Sequence, residues 1–86
     1  MIDILRRKIN RIDEQLIRLL GKRMSITGKI KKTKIKKGRP IADIPREKDL
    51  LKFWQKIGRR EKLHTQFILN LFNLIINESK RVQNEK

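Results

Sequence analysis

The 86-residue sequence contains no cysteine, which excludes disulfides, thiol nucleophiles and cysteine-ligated zinc, and suggests a reducing compartment. His64 is the single histidine, and no group of carboxylates has the spacing of metal ligands. We therefore expect no bound metal. His64 stands just before the last helical segment, where a solvent-facing side chain is the simpler interpretation than a catalytic group.

Long apolar runs are also missing. No stretch approaches the ~18 residues of a membrane-spanning helix, and Met1 leads into Asp3, Arg6 and Arg7 without the apolar segment of a signal peptide. Alternating strand patterns, repeats and Ser/Pro-rich linkers are absent as well. We expect a soluble, cytoplasmic, all-α protein with a single domain over residues 1–86.

Acidic residues are few, since 9 Asp and Glu stand against 24 Lys and Arg, for a formal net charge of +15. This excess invites a nucleic-acid-binding interpretation, strongest in residues 29–39. The sequence has no zinc-finger spacing, no aromatic RNA-stacking motif and no clear helix-turn-helix. Lysines on solvated helix faces, favoured by a biased genome base composition, explain the charge more simply, and we do not expect a nucleic-acid partner.

Helical periodicity divides the chain into three segments. The predicted bounds are 3–36 for helix 1, 44–57 for helix 2 and 65–83 for helix 3. Asp3 and Asp43 are suited to cap the first turns of helices 1 and 2, and Gly58 is expected to end helix 2. Gly21 and Gly28 lie inside helix 1, where they permit either local bending or close packing of another helix.

Each predicted helix carries polar residues where its own periodicity calls for apolar ones. At ~100° per residue, Arg23 and Lys34 fall in the middle of the apolar stripe of helix 1. That stripe consists of Leu5, Ile9, Ile12, Leu16, Leu19, Leu20, Ile26 and Ile30. Glu47 points with the apolar face of helix 2, while Ser79 lies at the centre of the helix 3 face and Gln83 at its edge. Because an unpaired buried charge is costly, the pattern indicates a shared polar ligand site.

Helix 1 is too long for the rest of the chain to cover. At 1.5 Å per residue it extends ~50 Å, whereas a compact monomer of this length is only ~30 Å across. Its apolar stripe therefore needs a second chain, and we predict a homodimer.

The polar residues occur in an order that resembles a known family. In chain order they are Arg6-x-x-Ile9-x-x-x-Asp13-x-x-Leu16, Arg23, Lys34, Arg39-Pro40-Ile41-x-Asp43-x-x-Arg46-Glu47 and Ser79-x-x-x-Gln83. Over this span the chain resembles the all-helical (AroQ type) chorismate mutases. The resemblance implies an intertwined homodimeric helical bundle, with three helices per chain and two sites that each take one arginine from the partner's helix 1.

The resemblance also implies an activity, the cofactor-free rearrangement of chorismate to prephenate in phenylalanine and tyrosine biosynthesis. Such a pericyclic step needs a compact substrate conformer and stabilisation of the negative charge that develops on the ether oxygen. Arg23 and the partner's Arg6 would bind carboxylates, with Ser79 adding a hydroxyl donor. Lys34 and Gln83 would both donate to the ether oxygen.

The ring hydroxyl of the substrate would be received by Glu47 and by the backbone near Asp43, with Arg46 completing the charges around Glu47. Simpler interpretations exist for each residue. Asp43 is also a helix cap, Glu47 is also suited to pair only with Arg46 or Arg23, and Arg23 is long enough to extend its charge from a coiled-coil seam into solvent.

Three other functions stay open at this point. An isochorismate pyruvate lyase on the same fold would use the same arginines, lysine and glutamine, although Glu47 with Asp43 favours the mutase. A basic helical nucleic-acid-binding protein would lose affinity steeply with salt. A purely structural helical dimer would tolerate apolar residues at Arg23, Lys34 and Gln83.

Overall fold

A computed structural model describes residues 1–36 and 44–84, except for the side chains of residues 34–36. The described residues form three helices and no strand: α1 (Ile2–Lys36), α2 (Ile44–Arg60) and α3 (Thr65–Asn84). The predicted all-α class with three helices is thereby confirmed. None of the helices in these residues combines the length and apolar character that crossing a bilayer requires.

The start of α1 lies one residue earlier than predicted. The backbone N–H of Leu5 donates to the Met1 carbonyl at 3.2 Å, so Met1 rather than Asp3 occupies the capping position. Asp3 instead lies within the first turn, where its negative charge interacts favourably with the helix dipole. The other predicted cap, Asp43, lies outside the described residues.

The end of α2 corrects the prediction that Gly58 terminates the helix. The helix continues to Arg60, and Lys62 takes the left-handed conformation at φ 60° that usually favours glycine. The N–H of Leu63 donates to the Gly58 carbonyl at 2.8 Å, and the N–H of Lys62 donates to the Arg59 carbonyl at 3.1 Å. This pair of hydrogen bonds is a Schellman motif, and it ends the helix without a glycine.

Gly58 serves packing instead. A Cβ at this position would lie 2.6 Å from Cγ1 of Ile68 on α3, a side chain that is only 5% exposed. The missing side chain therefore allows α2 and α3 to approach closely. At Gly21 and Gly28, by contrast, an added Cβ would meet no described atom within 4 Å, so packing within the chain requires neither glycine.

The third helix is the centre of the chain, because α3 packs against both α1 and α2. The buried apolar residues among those described are Ile68 and Phe72, both on α3. The Trp54 ring of α2 meets the Phe72 ring edge-on, with 5.3 Å between centroids and an interplanar angle of 84°. His64, just before α3, is exposed as expected.

Much of the apolar stripe of α1 is left uncovered within the chain. The early stripe residues are between 49% and 56% exposed: Leu5, Ile9, Ile12 and Leu16. The chain measures 55 × 25 × 15 Å, and its radius of gyration is 15.8 Å. A compact chain of this length would have a radius of gyration of ~12 Å. The elongated shape agrees with the predicted excess length of helix 1.

We predict that Gly58→Ala destabilises the protein. The β-branched Ile68 side chain has little freedom to move away, so the added methyl group should cost up to about 3 kcal/mol, more than the ~1 kcal/mol gained in helix propensity. Thermal unfolding should show a midpoint lowered by several degrees.

The matched control for Gly58→Ala is Gly28→Ala, where the same change meets open space within the chain. It should keep or raise the midpoint. Equal stability of Gly58→Ala and wild type would contradict the close packing of α2 on α3.

Candidate active site

All three helices contribute to one cavity of about 170 Å³. It is lined by Arg23, Thr27 and Ile30 of α1, by Arg46, Glu47 and Leu50 of α2, and by Ile76, Ser79, Lys80 and Gln83 of α3. The chain thus brings together five residues that the sequence singled out: Arg23, Arg46, Glu47, Ser79 and Gln83. Their neighbours Ile30, Leu50 and Ile76 give the cavity apolar walls.

Arg23 is the central cation of this cavity. Its Nη1 atom donates to the Ser79 hydroxyl at 2.7 Å, and its guanidinium carbon lies 5.9 Å from the centroid of the Trp54 ring. Burial of the guanidinium, and secondly the positive charge of Arg46, lowers the pKa of Arg23 below its usual value. Within the described part of the chain, no carboxylate forms an ion pair with Arg23.

Ser79, on α3, orients the guanidinium of Arg23. The residue is buried, and its oxygen accepts the hydrogen bond from Arg23. Its own proton is directed to the Ile75 carbonyl at 2.8 Å, one turn earlier in α3, with the Met24 sulfur 3.7 Å away as the weaker alternative acceptor. In this arrangement Ser79 orients Arg23.

Glu47 belongs to α2 and pairs with Lys80 of α3, whose Nζ is 3.1 Å from Oε1 of the carboxylate. This pair joins α2 to α3 at the cavity. The simpler interpretations of Glu47 named Arg46 and Arg23 as partners. The structure adds Lys80, a lysine that the sequence did not single out. Arg46 lines the same cavity.

Three predicted site residues stand apart from this group. Arg6 is exposed and lies about 25 Å along α1 from Arg23, too far to reach the cavity of its own chain. Lys34 belongs to α1, but its side chain lies outside what the structure describes. Asp43 also lies outside the described residues.

Sequence reasoning missed three contributors to the cavity region. Thr27 is buried and lies one turn beyond Arg23, a spacing that could have placed it on the same face. Lys80 precedes Gln83 by three residues, a spacing that also places two side chains on one helix face. The role of Trp54 as a platform for Arg23 depends on contact between two helices, which no local pattern reveals.

The charges of the cavity favour an anion. Arg23, Arg46 and Lys80 are cationic and Glu47 is anionic, which leaves a net charge of +2 among the described lining residues. Gln83 adds an amide that both donates and accepts hydrogen bonds. In the described residues no group of three or more His, Asp or Glu could hold a metal ion. The lining residues therefore suit a small anion that also carries a polar group.

Comparison with known proteins identifies the family to which this arrangement belongs. Residues 5–84 match the family described as chorismate mutase type II. The match covers nearly the whole chain, and the chain belongs to this family.

The similar proteins are named chorismate mutase, either alone or as part of a bifunctional protein. The bifunctional chorismate mutase/prephenate dehydratase of Buchnera aphidicola subsp. Schizaphis graminum is 44% identical over 78 residues, and that of Escherichia coli K12 is 39% identical over 79 residues. These alignments cover 91% and 92% of this chain but 20% of each relative. The chorismate mutase of Methanocaldococcus jannaschii is 26% identical over 81 residues, covering 94% of this chain and 82% of that protein. The chain therefore spans about a fifth of the length of the bifunctional relatives.

Proposed function

We propose that this chain is a chorismate mutase that converts chorismate to prephenate. The observation that carries the proposal is Arg23, a half-buried cation whose contacts in the described residues are a neutral hydroxyl and an aromatic ring. A charge withdrawn from water without a counter-ion is unfavourable, and a bound carboxylate would supply the missing partner. The names of the relatives support chorismate, a dicarboxylate, as that anion.

The proposed reaction is intramolecular. One ether C–O bond breaks while one C–C bond forms, and every atom of chorismate is retained in prephenate. Arg23 and the partner's Arg6 would bind the two carboxylates of the compact conformer, which removes much of the entropic barrier before the bonds change. Arg46 would complete the charges around Glu47. Glu47 would accept a hydrogen bond from the ring hydroxyl and so fix the orientation of the ring.

Negative charge develops on the ether oxygen as the C–O bond lengthens. Gln83 lies one turn beyond Ser79 on the cavity wall, and its amide would donate to that oxygen. Lys34 would provide the second donor, from a position eleven residues, or about three turns, beyond Arg23 on α1. Because both groups act mainly in the transition state, their contribution should fall on kcat.

The direct test is turnover of chorismate by the purified protein without added metal or cofactor. We expect chorismate absorbance to fall and prephenate to be the identified product, while Lys52→Gln, a change on the exposed face of α2, keeps wild-type activity. Isochorismate should be tested in parallel. Release of pyruvate from isochorismate with no prephenate from chorismate would replace the mutase with the lyase.

We further propose that the active form is a homodimer in the cytoplasm. The uncovered stripe on α1 supports the dimer, since an apolar surface of this length is normally buried against a partner. The position of Arg6 supports a shared site, because this residue is too far along α1 to reach the cavity of its own chain. A second chain running antiparallel along α1 would bring the partner's Arg6 to that cavity. The cytoplasmic location rests on the role of the family in aromatic amino acid biosynthesis.

Chain mixing tests the shared site. Arg6→Ala and Arg23→Ala should each be nearly inactive alone, but in a heterodimer both lesions fall in one site and the other site is intact. Since half of randomly exchanged dimers are mixed and each has one intact site, the mixture should recover about a quarter of wild-type activity.

The control mixes Arg6→Ala with the double variant Arg6→Ala/Arg23→Ala, a combination that leaves no intact site and should recover nothing. Exchange of chains between dimers has to be verified separately. If chains do exchange and the mixture of the two single variants, Arg6→Ala and Arg23→Ala, gains no activity, Arg6 does not act across the interface.

A further inference from the structure

We infer that Lys80 is a positioning residue, which holds the Glu47 carboxylate in place to receive the ring hydroxyl of the substrate and so favours hydroxyl-bearing dicarboxylates. The inference rests on the proposed function and deepens it by naming a determinant of specificity. Lys80 itself would not touch the reacting atoms. Its effect would be exerted through Glu47.

The Lys80–Glu47 pair differs from the other measured ion pairs of the described residues. The pairs Arg18–Glu14, Arg60–Glu61 and Arg81–Glu78 each join residues at most four positions apart. Lys80 and Glu47 instead join two helices across 3.1 Å, and their side chains are only 44% and 26% exposed. An ion pair that is partly withdrawn from water orients its members more strongly than a fully solvated one.

The two polar links of the cavity come from consecutive residues of α3. Ser79 contacts Arg23 on α1, and Lys80 contacts Glu47 on α2. Because successive side chains on a helix diverge by ~100°, one turn of α3 orients groups on both neighbouring helices. Lys80 thus does for the anionic group of the cavity what Ser79 does for its central cation.

The geometry leaves Glu47 able to bind a hydroxyl. The contact with Lys80 uses Oε1, and an ionised carboxylate has further acceptor positions on both oxygens. The other cations that line the cavity are Arg23 and Arg46. If Glu47 turned toward the Arg23 guanidinium, it would compete with a carboxylate of the substrate. The ion pair with Lys80 therefore favours an orientation of Glu47 that leaves Arg23 to the substrate.

The test compares two probes in calorimetric binding experiments: an oxabicyclic dicarboxylic acid that mimics the transition state and carries the ring hydroxyl, and its deoxy counterpart. For Lys80→Gln we expect affinity for the hydroxyl-bearing probe to fall about fivefold, while affinity for the deoxy probe changes less than about twofold. The KM for chorismate should rise by the same factor with kcat nearly unchanged, because the hydroxyl contact is remote from the breaking bond.

Three further variants separate positioning from other effects. In a Glu47→Gln background, Lys80→Gln should cause no additional loss, since the group it positions is gone. Lys80→Arg should restore most of the discrimination between the probes. Lys52→Gln removes the same charge from the exposed face of α2 and should leave both affinities unchanged.

Equal weakening of both probes by Lys80→Gln would mean that Lys80 acts on the charge of the ligand, and would overturn the inference. So would unchanged affinities, or a loss that persists in the Glu47→Gln background. Thermal melting of each variant identifies a loss caused by unfolding, in which case Lys80→Arg decides the question.

If wild-type protein binds neither probe and does not turn over chorismate, the proposed function fails, and the role of Lys80 fails with it. Wild-type turnover with an unaffected Lys80→Gln variant would remove the role of Lys80 alone.

Discussion

The half-buried charge of Arg23 is the constraint on which the site depends. Removing a guanidinium from water is costly, and the described residues offset this cost with one hydroxyl and one aromatic face. Both partners are themselves held by α3, since Ser79 donates to the Ile75 carbonyl and Trp54 packs on Phe72. The structure thus holds a cation in a fixed direction without neutralising it. That arrangement favours binding of an anion over stability of the empty protein.

The shape of the chain follows from how its apolar surface is distributed. The later part of α1 packs with α3, and α3 with α2, to enclose the cavity, while the earlier part of α1 remains largely exposed. A chain of this size whose described residues include so few that are fully buried gains little stability from its own core. Covering the stripe of α1 with a second chain would add apolar burial and bring the partner's Arg6 into reach. Dimerisation would then both stabilise the fold and complete the site.

Much of this arrangement was predictable because it depends on periodicity. Helical spacing placed Arg23 and Ser79 on apolar faces, and the structure joins them by a hydrogen bond. The glycine at position 58 was misjudged, because glycine is equally suited to ending a helix and to allowing two helices to approach. Only the position of Ile68 in three dimensions distinguishes the two roles. The left-handed conformation of Lys62 could not be predicted either, because lysine has none of the preference for positive φ that makes glycine a marker of this position.

The Lys80–Glu47 pair shows where sequence patterns stop being informative. In a chain with a net charge of +15, one more lysine at the edge of a helix face is indistinguishable from a solvated residue. Its contact with Glu47 depends on how α2 lies against α3, which local spacing does not reveal. The same limit applies to Trp54, whose contact with Arg23 joins residues on different helices.

If Arg23 is retained for binding an anion and not for stability, its replacement by Met separates the two roles. Arg23→Met keeps a side chain of similar length but removes the buried charge, so the melting midpoint should be unchanged or higher. Affinity for the transition-state dicarboxylate, measured by calorimetry, should fall by at least ~30-fold, whereas Arg18→Met on the exposed face of α1 should bind as wild type does. An Arg23→Met protein that binds the dicarboxylate with wild-type affinity would show that Arg23 does not bind the anion.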